Sequence, residues 1–295
     1  MQSDRERTGA LSPAYLYKLR LYARPDGYFG PLLSRSIHSL DFGALEEWVH
    51  GLKVGGKTRR LALGAMRSFL HWLKRRREID ELPEFPEVPV DEYLPTVVDL
   101  DHQDRILAAI PEDRRGAFLA ARLGLRPGEV RALNVGDYRP EDRVLVVAYA
   151  MKGEHSDAPR RSPKKRRWRL VQVDTELAAW IAAHRDKVFP GEPLFQNPGG
   201  RTTDRRWTGP SLREAWNAGA RAAGIPVRMY EGTKHSSASA AARRGVRLEE
   251  IQHALGHADP RSTALYAKLA PIVPATVLRP ECKLSAERRD EKKLN

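Results

Sequence analysis

The sequence has little with which to cross-link or anchor itself. Its single cysteine, Cys282, stands in a charged stretch, which excludes an intramolecular disulfide and a cysteine-based zinc site; a reducing cytosol is the expected setting. No stretch reaches the roughly 18 consecutive apolar residues that a membrane span needs. Met1 to Ala10 is polar and charged, without the apolar centre of a secretory signal. Gly-x-Gly-x-x-Gly and Walker-type phosphate loops are absent, and so is any His-Glu-x-x-His or comparable ligand spacing, so neither a nucleotide cofactor nor a metal is expected. There is no internal repeat and no low-complexity segment.

Positive charge is what the sequence does have. Lys and Arg number 51 against 38 Asp and Glu over 295 residues, a net charge of +13, with a pI near 10.0. A chain this basic ordinarily meets a polyanion. No basic amphipathic helix or lipidation motif points to a membrane surface, which leaves nucleic acid. At 41% hydrophobic residues the chain can also build a sizeable core.

The organisation reads as mainly α with a small antiparallel β-sheet, in two domains. Residues 1–10 are expected to be disordered. From Pro13 to Ile79 the pattern is helical, and Leu63, Met66, Leu70 and Leu73 make one apolar stripe. Arg59, Arg60, Arg67 and Lys74 decorate the same segment and suit a clamp on a nucleic-acid backbone. A domain over 11–82 is therefore expected. Three prolines between Leu82 and Val90 cannot continue a helix, so 83–95 reads as an extended interdomain linker. The second domain, 96–280, opens with helical patterns at His102–Ile110 and Asp113–Leu123. Pro127 suits the first position of a short helix, and Arg143–Tyr149 and Trp168–Val173 read as strands. Asp174 is expected to cap the following helix, and Ser211 with Glu214 to form a capping box before a helix stopping at Gly224. A further helix ends near Gly245. Arg247–Leu255 is expected to stop at Gly256, and Asp259-Pro260 to start a last helix carrying Tyr266. Residues 281–295 read as a mobile charged tail.

Three segments carry chemistry. In Ala121–Leu133, Arg126 precedes Pro127 and has Glu129 three residues on; a guanidinium at a helix start makes an anion site suited to phosphate. Between the two strands, seven of the ten residues Arg160 to Arg169 are cationic, including Arg160, Arg161, Lys165, Arg166 and Arg167, a density natural on a polyanion. The third segment runs from Tyr230-Glu-Gly-Thr-Lys-His-Ser236 through Leu255-Gly-His257 to Tyr266, gathering a cation, two imidazoles and a phenol. A lone tyrosine on an amphipathic helix is ordinarily a core residue; the neighbours of Tyr266 argue for more.

Arg126-x-x-Glu129, a hairpin lysine, and Leu255-Gly-His257 with Tyr266 nine residues later resemble the tyrosine recombinase (phage integrase) family. The likeness spans about residues 10–275, and order, type and spacing together make it specific. It implies a helical core-binding (SAM-like) DNA-binding domain followed by an α+β catalytic domain. It implies that Tyr266 attacks a DNA phosphodiester to form a 3′-phosphotyrosine, that Arg126 and His257 hold the scissile phosphate, and that a hairpin lysine protonates the leaving 5′-oxygen. Double-stranded DNA is the expected partner, bound by four protomers on two duplexes, with accessory DNA-bending or directionality proteins and a cytoplasmic, nucleoid-associated location. The stretch Thr276 to Asn295 is expected to touch a neighbouring protomer. The covalent intermediate conserves bond energy, so rejoining needs no nucleotide and no metal.

Two features depart from the family. Its usual His-x-x-Arg is here Glu231-Gly-Thr-Lys234. Lys234 is expected to supply one point charge to the phosphate in place of a bidentate arginine. Glu231 is either a base toward Tyr266 or a partner of Lys234 or Arg228. The hairpin lysine is the second feature: Lys164 fits the spacing from the second strand and is favoured, and Lys152 fits the spacing from the first. His235, which follows Lys234, reads as structural. Two rivals remain: a DNA-binding relative impaired in catalysis, and a type IB topoisomerase-like enzyme.

Overall fold

The structure is a computed structural model and describes residues 13–91, 95–155, 160–161, 168–185, 188–200, 205–257 and 259–267. The stretches 1–10 and 281–295, and with them Thr276 to Asn295, lie outside the described residues, as do Lys164, Lys165, Arg166 and Arg167. The chain divides near residue 93 into two compact units.

The first unit is helical. Helix α1 spans Pro13–Tyr22, α2 Phe42–Gly51 and α3 Gly56–Arg75. Asp41 starts α2 by accepting the Ala44 amide at 2.8 Å, which satisfies one of the orphan donors of the first turn. Leu63, Met66 and Leu70 of α3 turn inward against Leu45, Trp48 and Val49 of α2, and Leu73 packs at the edge. The expected stripe is thus the face that closes this core. The segment read as a linker begins differently from the expectation. Its backbone forms no helix or strand over 82–91, yet Val88 is buried in the helical core and Leu82 and Phe85 pack against it. Gly56 permits this, since a side chain there would run into the Pro89 carbonyl.

The second unit wraps helices around one small sheet. Helices α4 (Leu100–Ala109), α5 (Glu112–Arg122) and α6 (Pro127–Ala132) precede strands β1 (Tyr138–Arg139), β2 (Val144–Val147), β3 (Ala150–Met151), β4 (Arg160–Arg161) and β5 (Arg169–Gln172). Strands β1, β2 and β5 form an antiparallel sheet in that order, with Val144 opposite Gln172 and Val147 opposite Arg169. The two expected strands are its centre and one edge. The β1 edge, only two residues long, carries no period-2 pattern and was not expected. Strands β3 and β4 pair separately. Helices α7 (Thr175–Arg185), α8 (Gly209–Ala222), α9 (Ser236–Arg243), α10 (Leu248–Leu255) and α11 (Arg261–Ala267) complete the unit.

Helix α5 carries the core: Ala117 to Ala121 are all buried, and the Phe118 ring lies 5.8 Å from Trp216 and 6.1 Å from Trp207. Asp174 accepts the Leu177 amide at 2.9 Å and caps α7 as expected. The capping box of α8 sits three residues earlier than the sequence suggested. Thr208 and Ser211 exchange side-chain to backbone hydrogen bonds at 3.0 Å, so Ser211 is the third residue of the helix rather than its cap. Positive φ at Gly224, Gly245 and Gly256 ends α8, α9 and α10 as expected. A second, smaller core is made by Ala238, Ala242, Ile251, Leu255 and Tyr266.

Candidate active site

The site begins at the start of α6. Pro127 occupies the first helical position, where its missing N–H costs nothing. Glu129, two residues further, turns back to accept the Arg126 amide at 2.8 Å and the Arg126 Nη1 at 2.9 Å. Arg169, entering from β5, grips the same carboxylate with Nη1 at 3.2 Å and Nη2 at 2.9 Å. Burial alone would raise the Glu129 pKa, but the fork of Arg169 and the bonds from Arg126 overcome it and hold the group at about 2. Glu129 is therefore a fixed anion that aims Arg126, whose side chain stays 38% exposed.

The same arginine pair reaches the end of α10. Arg169 Nε donates to the Ala254 carbonyl at 3.1 Å, and Arg126 Nη2 approaches the Gly256 carbonyl at 3.5 Å. Gly256 sits at φ +61°, and a Cβ there would lie 2.9 Å from Arg169 Nη1. Both the left-handed backbone and the close guanidinium call for glycine. His257 follows directly. Its Nδ1 is 3.0 Å from Thr263 Oγ1 on α11, and its ring lies near-parallel to Tyr266, 6.3 Å away at 12°. Burial, then the charges of Lys234 and Arg126, lower the His257 pKa to about 4, so the ring is neutral at pH 7.

Lys234 stands behind these groups. It is fully buried and donates to the Gly124 carbonyl at 3.1 Å and the Leu255 carbonyl at 3.0 Å. Those carbonyls lie two residues before Arg126 and two before His257, so one ammonium ties together the loops that carry both side chains. Burial, followed by the Arg126 charge, brings its pKa down to about 7. The expected point charge on the phosphate is, in this structure, turned inward to the backbone.

Tyr266 is buried, with its ring in the smaller core and its hydroxyl 2.9 Å from His235 Nδ1. Burial and the neighbouring Tyr230 phenol push its pKa up, and Arg126 opposes them. His235 reaches this hydroxyl because Glu231–His235 form a π-helical turn ahead of α9. In an α-helix, residues five apart point roughly 140° away from each other. Across the π turn Tyr230 and His235 meet edge to face, 4.7 Å apart. Burial raises the Tyr230 pKa and the nearby Arg126 charge opposes the rise. His235, read from sequence as structural, Tyr230, and Arg169, counted only as one of a basic run, are the site residues that sequence reasoning missed. Nothing in the pattern marks a π turn, so no sequence signal placed His235 against Tyr266.

The remaining expected residues lie elsewhere. Glu231 is half-buried and its charge opposes the downward shift of His235. Lys152 follows β3, whose Met151 carbonyl would be 3.1 Å from a Cβ at Gly128, so this strand runs against the start of Arg126's helix. The loop beyond Lys152 is tethered by Arg131, which donates to the carbonyls of Gly153 at 2.7 Å and His155 at 2.6 Å. Arg160 lies over the Tyr149 ring and pairs with Asp137 at 2.8 Å; Arg161 forms β4 with it. In the first unit Arg60 and Lys74 are exposed, Arg67 lies over the Phe85 ring at 4.5 Å, and Arg59 donates to the Leu52 carbonyl at 2.9 Å. Among the described residues no group of three or more His, Cys, Asp or Glu is placed to hold a metal ion, and no helix is long and apolar enough to cross a membrane.

The Tyr266 phenol thus has two imidazoles as neighbours and the Arg126 charge acting on it, with Lys234 fixing the backbone behind. Residues 97–271 match the phage integrase family, more than half the chain, and the chain belongs to that family: it is a site-specific recombinase of the tyrosine type. It is similar to the tyrosine recombinase XerD of Neisseria meningitidis serogroup B, 27% identical over 221 residues that cover 71% of each chain. Its fold is that of the Tn1549 transposon integrase solved with a circular intermediate DNA, at a TM-score of 0.71 and 15% identity over 90% of this chain and 92% of that one. The XerH site-specific recombinase bound to palindromic difH substrate shares it too, at a TM-score of 0.60 and 16% identity over 86% and 76%.

Proposed function

We propose that this recombinase cuts and rejoins double-stranded DNA through Tyr266, with Arg126 and His257 on the scissile phosphate. The observation that carries the reading is the convergence of these three. Arg126 rests on the Gly256 carbonyl, the next residue is His257, and the His257 ring stacks on Tyr266. As the Tyr266 oxygen bonds to phosphorus, negative charge grows on the phosphate oxygens beside Arg126, where a fixed cation is worth most. A neutral His257 donates from the nitrogen not engaged with Thr263. The P–O5′ bond breaks and the 5′-oxygen takes a proton from a hairpin lysine. Lys152 is supported for that role by the packing of β3 against the start of α6; Lys164 is its alternative. Lys234 acts through the backbone, fixing the loops of Arg126 and His257.

Arg60 and Lys74 of the first unit, with Arg160, Arg161 and the run to Arg167, supply the phosphate contacts that position the duplex. Four protomers on two duplexes, helped by accessory DNA-bending or directionality proteins, would complete strand exchange, in the cytoplasm on the nucleoid. A second reading, DNA binding without cleavage, is favoured by the full burial of Tyr266. One experiment separates the two. Nicked suicide substrates built from DNA flanking the gene are incubated with wild type and Tyr266→Phe, and resolved on a denaturing gel. A covalent protein–DNA adduct with wild type alone is the expected result. Specific binding on a native gel with no adduct selects the second reading.

A further inference from the structure

We propose that His235 is the catalytic base that receives the Tyr266 proton during strand cleavage, an inference that rests on the reading of Tyr266 as nucleophile. Geometry carries it. The His235 Nδ1 is 2.9 Å from the Tyr266 oxygen, within the reach a general base needs. His257, the other imidazole nearby, is less well placed for this step. Its Nδ1 is engaged by Thr263, and its ring lies near-parallel to Tyr266, whereas imidazole lone pairs lie in the ring plane. Lys234 is turned to two backbone carbonyls.

The surroundings keep His235 fit for the task. It sits on a π-helical turn, an arrangement that recurs at functional sites, and the edge-to-face Tyr230 ring holds its orientation. The groups facing it are Glu231 and Lys234 of its own turn, Tyr230 before it, and Tyr266 of α11. Burial, then the Lys234 charge, lower its pKa, so it is neutral at pH 7 and able to accept a proton. Glu231 opposes that shift and favours the protonated ring once formed. A phosphate entering beside Tyr266 adds negative charge on the same side.

The step balances. The Tyr266 O–H bond breaks and its proton passes to His235 Nδ1, with Nε2 already carrying a hydrogen. The phenolic oxygen bonds to phosphorus, the P–O5′ bond breaks, and the 5′-oxygen is protonated by the hairpin lysine. Rejoining reverses each transfer. Because the proton leaves as the oxygen bonds to phosphorus, free phenolate need never accumulate.

The test compares wild type, His235→Ala and His235→Gln on the nicked substrate, each with tyrosine or the more acidic difluorotyrosine at position 266. His235→Ala is expected to slow adduct formation by about 10²–10⁴-fold while native-gel binding and the thermal midpoint hold. Difluorotyrosine is expected to restore much of that rate in both variants and to change the wild type little. Undiminished cleavage by His235→Ala, or a loss that difluorotyrosine leaves untouched, overturns the inference. Absence of an adduct from wild type itself is a different result, and it defeats the reading of Tyr266 as nucleophile along with the role built on it.

Discussion

The two units of this chain treat charge in opposite ways. In the helical unit every described charged side chain is at least partly exposed, and Arg60 and Lys74 stand in solvent. In the catalytic unit Glu129, Arg131, Arg169, Arg206 and Lys234 are buried. Exposed cations attract a polyanion at long range, tolerate many positions and are screened by salt. Buried ones must be paired or they destabilise the fold, and pairing fixes direction. Arg131 and Arg206 show this away from the chemistry, one donating to the Gly153 and Trp207 carbonyls and the other to the carbonyl of Arg131 itself. Charge in the first unit is thus left open to solvent, and charge in the second is held in fixed directions by its partners.

The comparison is broken most forcefully at Glu129. Glu129→Gln leaves the buried Arg169 without its counter-ion, and a loss of roughly 3–5 kcal/mol is expected in urea unfolding, together with loss of the covalent adduct. Its titration gives a second reading. The folded pKa, about 2, lies below the unfolded 4.5. The stabilisation is therefore complete above pH 4.5 and is lost as pH falls toward 2. Glu129→Gln should show no such fall from this residue.

Lys234 comes next, and its titration moves stability in the same direction at higher pH. Its folded pKa is about 7 against an ordinary 10.5, so between these values the unfolded chain binds more protons and stability rises with pH. Lys234→Met should flatten that rise over pH 7 to 10. It also leaves the Gly124 and Leu255 carbonyls unsatisfied, a cost of about 1–3 kcal/mol each. Gly256→Ala is expected to cost about 1–2 kcal/mol for its left-handed backbone, with a further loss of cleavage rate because its Cβ displaces Arg169. Smallest in stability are Arg60→Ala and Lys74→Ala, each expected to shift unfolding by less than about 0.5 kcal/mol. Their effect belongs to binding: every phosphate contact removed should reduce the slope of log affinity against log salt by about 0.9. A large stability loss there would erase the contrast between the units.

Much of the architecture was legible because local chemistry fixes it. The α3 stripe, Pro127 at a helix start, Asp174 as a cap and the glycines at 224, 245 and 256 act within a turn or two of chain, where spacing and backbone freedom decide the outcome. The family pattern likewise picked out Arg126, His257 and Tyr266. Less was legible where a short element has no period of its own, as with β1, or where a run of prolines suggested a free linker although Val88 and Phe85 still had an apolar surface to cover.

The sequence by itself determined the two-unit plan, the basic character, and the arginine, histidine and tyrosine of the candidate site. Tertiary structure decided how the other charges are used. Lys234 reads as a cation for the phosphate until the Gly124 and Leu255 carbonyls take up its ammonium. Arg169 is one arginine among many until β5 sets it against Glu129. His235 meets Tyr266 across 31 residues only because a π turn adds one residue to the helix. Spacing along a chain encodes which side chains share a face of one element. Which faces meet, and which charges are sealed from water when they do, is settled only by packing.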